Sequence, residues 1–303
     1  MVEKGRETMA DNATVAGLRE RLGQFGIFAG PPSRLGVDPV ALATAIEAAG
    51  FTSAWIGGGN ATPADLDALG KMLEATERLV VAPGIVNIWA WQPAALRAAA
   101  SALAWHYPGR FILGLGVSHH QTVTGLGHAY ERPLSKMVSF LDELGQGTDD
   151  ELPPVVLAAL GPKMLALAGE QTAGAHPYFT TAEHTARARS ILGAEPLLIP
   201  EIAGSLASGA EGMAAVRPFA QRYLQLPNYV NNLLASGFTA DDVTGAGSDA
   251  LLAAVTPHGT GRFAAGIRSH LAAGADHVVI QPLAEGGGFA LGDLEALAAA
   301  LRS

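Results

Sequence analysis

The 303-residue chain contains no cysteine. Disulfides, thiolate catalysis and cysteine-ligated zinc are therefore excluded. Charge is scarce at 16%, and acidic residues outnumber basic ones, 28 to 19, for a formal charge of −9. The basic footprint that nucleic acid requires is missing, so nucleic acid is not expected as a partner. No run of about 18 apolar residues exists, so no membrane span is expected. Met1 to Glu20 is polar, mixed in charge and without the apolar stretch of a signal peptide. It reads as a flexible extension over residues 1–20, and a cytoplasmic protein is the default expectation.

Apolar residues, by contrast, make up 49% of the chain, enough for a large buried core. The length fits two ordinary domains or one α/β barrel of about 250 residues. Short apolar runs alternate with longer amphipathic ones. Candidate strands are Gln24–Phe28, Ser53–Ile56, Leu79–Ile88, Phe111–Val117, Pro154–Ala159, His176–Thr180, Leu197–Glu201 and His277–Gln281. Helices are expected at Pro39–Ala49, from Pro63, from Pro93 to near Tyr107, and at Arg132–Leu144, Pro162–Gln171, Ala182–Leu192, Arg262–Ala273 and Leu291–Leu301. Asp38 and Thr62 stand as N-caps before prolines at the first helical position.

Eight strands, each followed by a helix, predict a (β/α)8 barrel occupying residues 21–303 as one domain. Helical patterns at Met213–Leu224 and Asn228–Ala235 fall between strands seven and eight and read as an insertion. An open doubly wound sheet is the competing reading, but no Gly-x-Gly-x-x-Gly turn follows the first strand.

Chemistry concentrates near the strand carboxyl ends, where such folds keep their sites. Residues 109–118 read Gly-Arg-Phe-Ile-Leu-Gly-Leu-Gly-Val-Ser and are followed by His119 and His120. Strand three carries Pro83 and Gly84, an irregularity that suits close backbone approach to a flat ligand. Gly161, Pro162 and Lys163 open a helix whose unpaired amides suit an anion. His119 and His120 are adjacent and point apart, with no clustered carboxylate, so no metal site is expected. Ser118 lacks the second glycine of a nucleophile elbow. His176 enters strand six, and Glu201 ends strand seven, placed to pair with a basic group or to serve the site. Trp55 and Trp105 fit core positions, whereas Trp89 and Trp91 are placed to wall a pocket.

The stretch from Pro108 to His119 resembles the fourth-strand signature of the luciferase-like monooxygenase superfamily. Gly127-His-Ala-Tyr-Glu-Arg-Pro-Leu, Leu157-Ala-Ala-Leu-Gly-Pro-Lys-Met, Gly174-Ala-His-Pro-Tyr and Leu226-Pro-Asn-Tyr-Val-Asn-Asn are similar to its other segments. More narrowly, they resemble the actinobacterial branch of F420-dependent oxidoreductases. The resemblance implies a barrel with an insertion after strand seven, the deazaflavin coenzyme F420 across the strand ends, and a homodimer. It also implies a cis peptide at Gly84–Ile85, with Pro83, Gly84 and Ile85 behind the cofactor ring. Ser118 and His119 then contact its polar edge or side chain, Gly161, Pro162 and Lys163 hold its phosphate, and His176 belongs to the cofactor site. His119 is the expected proton-transfer group.

Two segments depart from the family pattern. An acidic or histidine residue often follows strand two, but Gly57-Gly58-Gly59-Asn60 stands here, which widens the site or removes a proton donor. Thr256-Pro-His-Gly-Thr-Gly replaces a more acidic helix opening. The first functional expectation is hydride transfer between F420 and a small organic substrate. The alternatives are an FMN-dependent monooxygenase and a non-catalytic paralogue that binds a ligand or partner subunit.

Overall fold

The computed structural model describes residues 12–58, 62–146 and 152–302. Eight parallel strands follow one another: β1 (Phe25–Ala29), β2 (Ser53–Ile56), β3 (Val80–Pro83, resuming at Val86–Asn87) and β4 (Leu113–Gly116). The rest are β5 (Val155–Leu157), β6 (Gly174–Ala175), β7 (Leu197–Leu198, resuming at Glu201–Gly204) and β8 (Val278–Ala284). Nearly every strand residue is buried. Continuous apolar runs are the mark of a parallel sheet covered on both faces.

Ile27 of β1 lies opposite Ile280 of β8 on one side and Ala54 of β2 on the other. Ala54 in turn faces Val81 of β3, and Ile202 of β7 faces Ile280. The second half of β3 continues through β4, β5 and β6 to the first half of β7. Parallel bridges between Val81 and Phe111, and between Tyr178 and Glu201, join these two groups at both seams. The result is the expected (β/α)8 barrel. The breaks in β3 and β7 fall at Pro83 and Pro200, which have no N–H for the ladder. The Gly84–Ile85 peptide is cis, as the family resemblance implied.

Helix starts form where the capping residues stand. The Asp38 carboxylate accepts from the amides of Val40 and Ala41 at 2.9 and 3.1 Å, ahead of the helix Pro39–Ala48. Asp65 accepts from the Thr62 amide at 2.9 Å before the helix Pro63–Glu74.

Several expectations are corrected. Much of the expected extension is a helix, Asn12–Leu22, while residues 1–11 lie outside the described residues. Val15, Leu18 and Leu22 repeat at intervals of three and four and pack into the barrel-interior cluster with Val80, Ile112 and Leu197. Arg19 bonds Asp276 at 2.8 Å and the Glu195 carbonyl at 2.6 Å, fixing the helix at the starts of β7 and β8. The helix therefore closes the amino-terminal end of the barrel. Strand six ends before His176 instead of beginning there, because Pro177 cannot continue the ladder. Trp105 is 83% exposed, on the outer face of the helix Pro93–His106, whereas Trp55 is fully buried.

The insertion holds the expected helices as Gly209–Tyr223 and Pro227–Ala235, and a further one at Asp249–Val255. It has its own apolar cluster around Phe219, Leu233 and Leu251, which Phe179 and Leu283 of the barrel join. Among the described residues no helix is long and apolar enough to cross a membrane.

Candidate functional site

At the carboxyl ends of β3 and β4 the chain gives up side chains so that backbones can touch. A Cβ added to Gly114 would stand 2.2 Å from the Pro83 carbonyl oxygen, and one on Gly116 would stand 2.6 Å from Ile85 Cδ1. At Gly114, where the neighbour is backbone, only glycine permits this approach. The structure thus brings Pro83, Gly84 and Ile85 against Gly114 and Gly116, with Ser118 just beyond. Ser118 has a positive φ of 57°, and its carbonyl accepts from the Tyr130 hydroxyl at 3.2 Å. The Trp89 indole N–H donates to the Val117 carbonyl at 3.0 Å, which sets that ring against the same loop.

The glycine at the end of β2 does not widen the site. The Phe28 ring occupies the space: its Cζ is 2.5 Å from the place of a Gly57 Cβ, and its Cε2 is 2.7 Å from that of Gly84. Gly59 and Asn60 lie outside the described residues.

His119 sits at the N-cap of the helix His120–Gly125. It hydrogen-bonds Asn228 and lies 5.7 Å, ring to ring, from Tyr229, both on the insertion. Burial holds its pKa below the ordinary histidine value, and the Asn228 bond opposes this in part. The imidazole is therefore neutral at neutral pH and able to accept a proton. Gly161, Pro162 and Lys163 open the helix Pro162–Gln171 and are exposed. A Cβ on Gly161 would meet nothing within 4 Å. No side chain caps this start, and among the described residues the Gly161 and Lys163 amides have no backbone acceptor. Such a start is open to an anion.

His176 does not join these groups. It lies inside the barrel, 3% exposed, with its ring stacked on Trp55 at 4.5 Å. Its Nδ1 is 2.7 Å from the Ile199 carbonyl and its Nε2 is 3.5 Å from Glu201 Oε2. Glu201 begins the second half of β7 and does not end the strand as expected, but it has the basic partner expected of it. Deeper still, Ser53 Oγ accepts from the Trp55 indole at 3.0 Å and meets His277 Nε2 at 2.8 Å. Burial raises the Glu201 pKa from 4.5 to about 7 despite the neighbouring histidine. Glu201 Oε1 is buried without a hydrogen-bond partner.

Sequence reasoning missed the aromatic wall opposite the glycines. Tyr178 lies parallel to Phe28 at 6.3 Å and edge-on to Tyr223 at 4.9 Å and to Tyr229 at 5.9 Å. Its hydroxyl donates to Gln281 Oε1 at 3.4 Å and also hydrogen-bonds Tyr223. The signal was there: Phe219 and Tyr223 are four residues apart on one helix face, and Tyr178 follows His176 by two.

A family model described as luciferase-like monooxygenase matches residues 36–151. The coenzyme F420 dependent tetrahydromethanopterin reductase from Methanopyrus kandleri superposes with a TM-score of 0.70 at 17% identity, covering 91% of this chain and 97% of that one. An F420-dependent secondary alcohol dehydrogenase in complex with an F420-acetone adduct gives 0.68 at 15% identity, over 93% and 99%. The oxygenating constituent of 3,6-diketocamphane monooxygenase from Pseudomonas putida, in complex with FMN, gives 0.61 at 12% identity, over 86% and 92%. At these identities the likeness is one of fold.

Proposed function

We propose that this chain, luciferase-like in fold and, over residues 36–151, in sequence, is an oxidoreductase that uses F420 on a small organic substrate. The observation that carries the reading is the pairing of a glycine-lined cradle with an open helix start. Gly114 and Gly116 admit the β3 bulge, and the exposed Gly161–Lys163 turn follows β5, the strand paired with β4. In this reading a flat ring would lie against the β3 bulge and its phosphate-bearing side chain would reach the open turn. When bound, the deazaflavin would supply hydride transfer.

The chain's own residues would do the rest. Pro83, Gly84 and Ile85 back the ring, and Ser118 meets its polar edge. The Gly161 and Lys163 amides and the Lys163 ammonium hold the phosphate, with Pro162 setting the helix start. His119, neutral and half-buried, accepts the proton released as the substrate is oxidised, and returns it in the reverse direction. His176 supports the site from inside the barrel, not at the cofactor's surface. The same reading has the chain pair as a homodimer, supported by the exposed Trp105; sedimentation showing only monomer would contradict that part.

The runner-up is an FMN-dependent monooxygenase, supported by the family model and by the FMN-bound structural relative. Titration with F420 and, separately, FMN, followed by tryptophan fluorescence, tests the choice. Tight F420 and weak FMN binding supports the first reading. The reverse, with oxygen consumed on reduction, supports the second. Binding of neither overturns both.

A further inference from the structure

We propose that His184 is a positioning residue for the cofactor's phosphate: it holds the Leu160 carbonyl and so fixes the Gly161-Pro162-Lys163 turn in place. The inference rests on the function proposed above, in which that turn meets the phosphate. The anchor itself stands on printed contacts of the chain alone.

The segment that leads from β5 to the turn has little to hold it. The Ala158 amide makes the last ladder bond, to the Leu115 carbonyl at 2.8 Å. The helix Pro162–Gln171 begins with the Met164 and Leu165 amides, which donate to the Gly161 carbonyl at 3.1 and 3.0 Å. Between these, among the described residues, the main chain of Ala159 and Leu160 makes one hydrogen bond: the Leu160 carbonyl accepts from His184 Nε2 at 2.8 Å. The Leu160 side chain packs against the apolar cluster of the insertion. The segment is thus tied to the insertion by its side chain and to His184 by its carbonyl.

His184 is itself firmly set. It stands in the first turn of the helix Ala182–Leu192, where its amide donates to the Thr181 hydroxyl oxygen at 3.3 Å. That helix packs closely on Pro162–Gln171: a Cβ on Gly169 would stand 2.8 Å from the Leu192 carbonyl oxygen. The imidazole is 3% exposed, and burial holds its pKa below the ordinary histidine value, so the ring is neutral. A carbonyl oxygen can only accept, so the single proton lies on Nε2. Nδ1 is buried without a hydrogen-bond partner. A leucine would fill the same space without leaving a buried nitrogen unpaired, so the ring costs stability there except for the one bond it makes. That bond sets the start of a helix whose free amides bind an anion only when they converge on it, and small shifts of such groups are costly.

Calorimetric titration of the full chain tests the role, with FMN against riboflavin and with F420 against the deazaflavin that lacks the phosphate-bearing tail. H184L and H184F have no donor, and should bind the phosphate-bearing form about ten-fold more weakly and the phosphate-free form as the parent does. H184Q keeps an N–H for the carbonyl and should stay within about two-fold of the parent. Equal losses with and without the phosphate, or an H184Q no better than H184L, overturn the role. Hydrogen exchange of the cofactor-free chain judges the anchor by itself. The Met164 and Leu165 amides should exchange about ten-fold faster in H184L than in the parent or H184Q. Unchanged exchange there overturns the anchor, whatever binds. Failure of the parent to bind either cofactor overturns the proposed function and the phosphate role with it, while the exchange result still decides the anchor.

Discussion

Between β3 and β5 the barrel mouth is lined by Gly84, Gly114, Gly116 and Gly161. Between β6 and β8 it is lined by Tyr178, Tyr223, Tyr229 and the buried Glu201. The first side offers closely packed backbone and, at Gly161 alone of the four, open space. The second offers packed rings and a carboxyl that titrates near neutrality. Backbone amides and missing Cβ atoms hold a ligand by shape and charge, with little chemistry of their own. Buried acids and phenols carry protons but leave little room. On the function proposed above, the glycine side would hold a cofactor, while the aromatic side holds a buried acid among phenols.

The glycine side should be most sensitive at Gly114. G114A drives a Cβ into the Pro83 carbonyl and should cost roughly 3–5 kcal/mol, read by urea denaturation. G161A, on the open part of the same side, should cost less than about 1 kcal/mol. Equal losses would mean that the glycines of this side do not differ as their surroundings say.

The aromatic side should show itself in pH dependence. With Glu201 at about 7 when folded and 4.5 ordinarily, the folded protein binds more protons between those values. Its contribution is full below about pH 4.5 and falls as pH rises through about 7, by roughly 3 kcal/mol. His277 and His270, held down to about 4 by burial, act in the opposite direction. Their contribution is full above their ordinary value of 6.5 and is lost as pH falls through about 4. E201Q should remove only the loss between about pH 4.5 and 7. An unchanged stability profile in E201Q would contradict the assignment.

His119 lies where the two sides meet. H119Q should lower turnover about 100-fold, close to 2.7 kcal/mol of barrel-mouth chemistry. In the parent, turnover in the oxidising direction should fall as pH drops below the ordinary histidine value, because protonation removes the acceptor. A flat acid limb would assign the proton elsewhere.

The glycine side was largely legible in the sequence, and the aromatic side was not. Strand-end glycines and the Gly161-Pro162-Lys163 turn act locally, through backbone freedom and a fixed φ, so residue identity alone announces them. The helix Pro162–Gln171 fell where its proline and periodicity put it. The meeting of Tyr178 with Tyr223 and Tyr229 joins strand six to an insertion more than forty residues away, and no local rule encodes it. Phe28 is a similar case, since filling the place of a side chain at Gly57 and Gly84 depends on three strands at once. The amino-terminal helix was missed because only Val15, Leu18 and Leu22 among its polar neighbours carry its packing.

Where a cofactor would sit is tested most directly at Lys163. Calorimetric titration of the parent and of K163A with F420 and with FMN should show saturable binding of one cofactor, weakened about ten-fold in K163A, or close to 1.4 kcal/mol. That result would place the phosphate at the open helix start on the glycine side. Equal affinity in K163A, or no binding by the parent, would contradict the account.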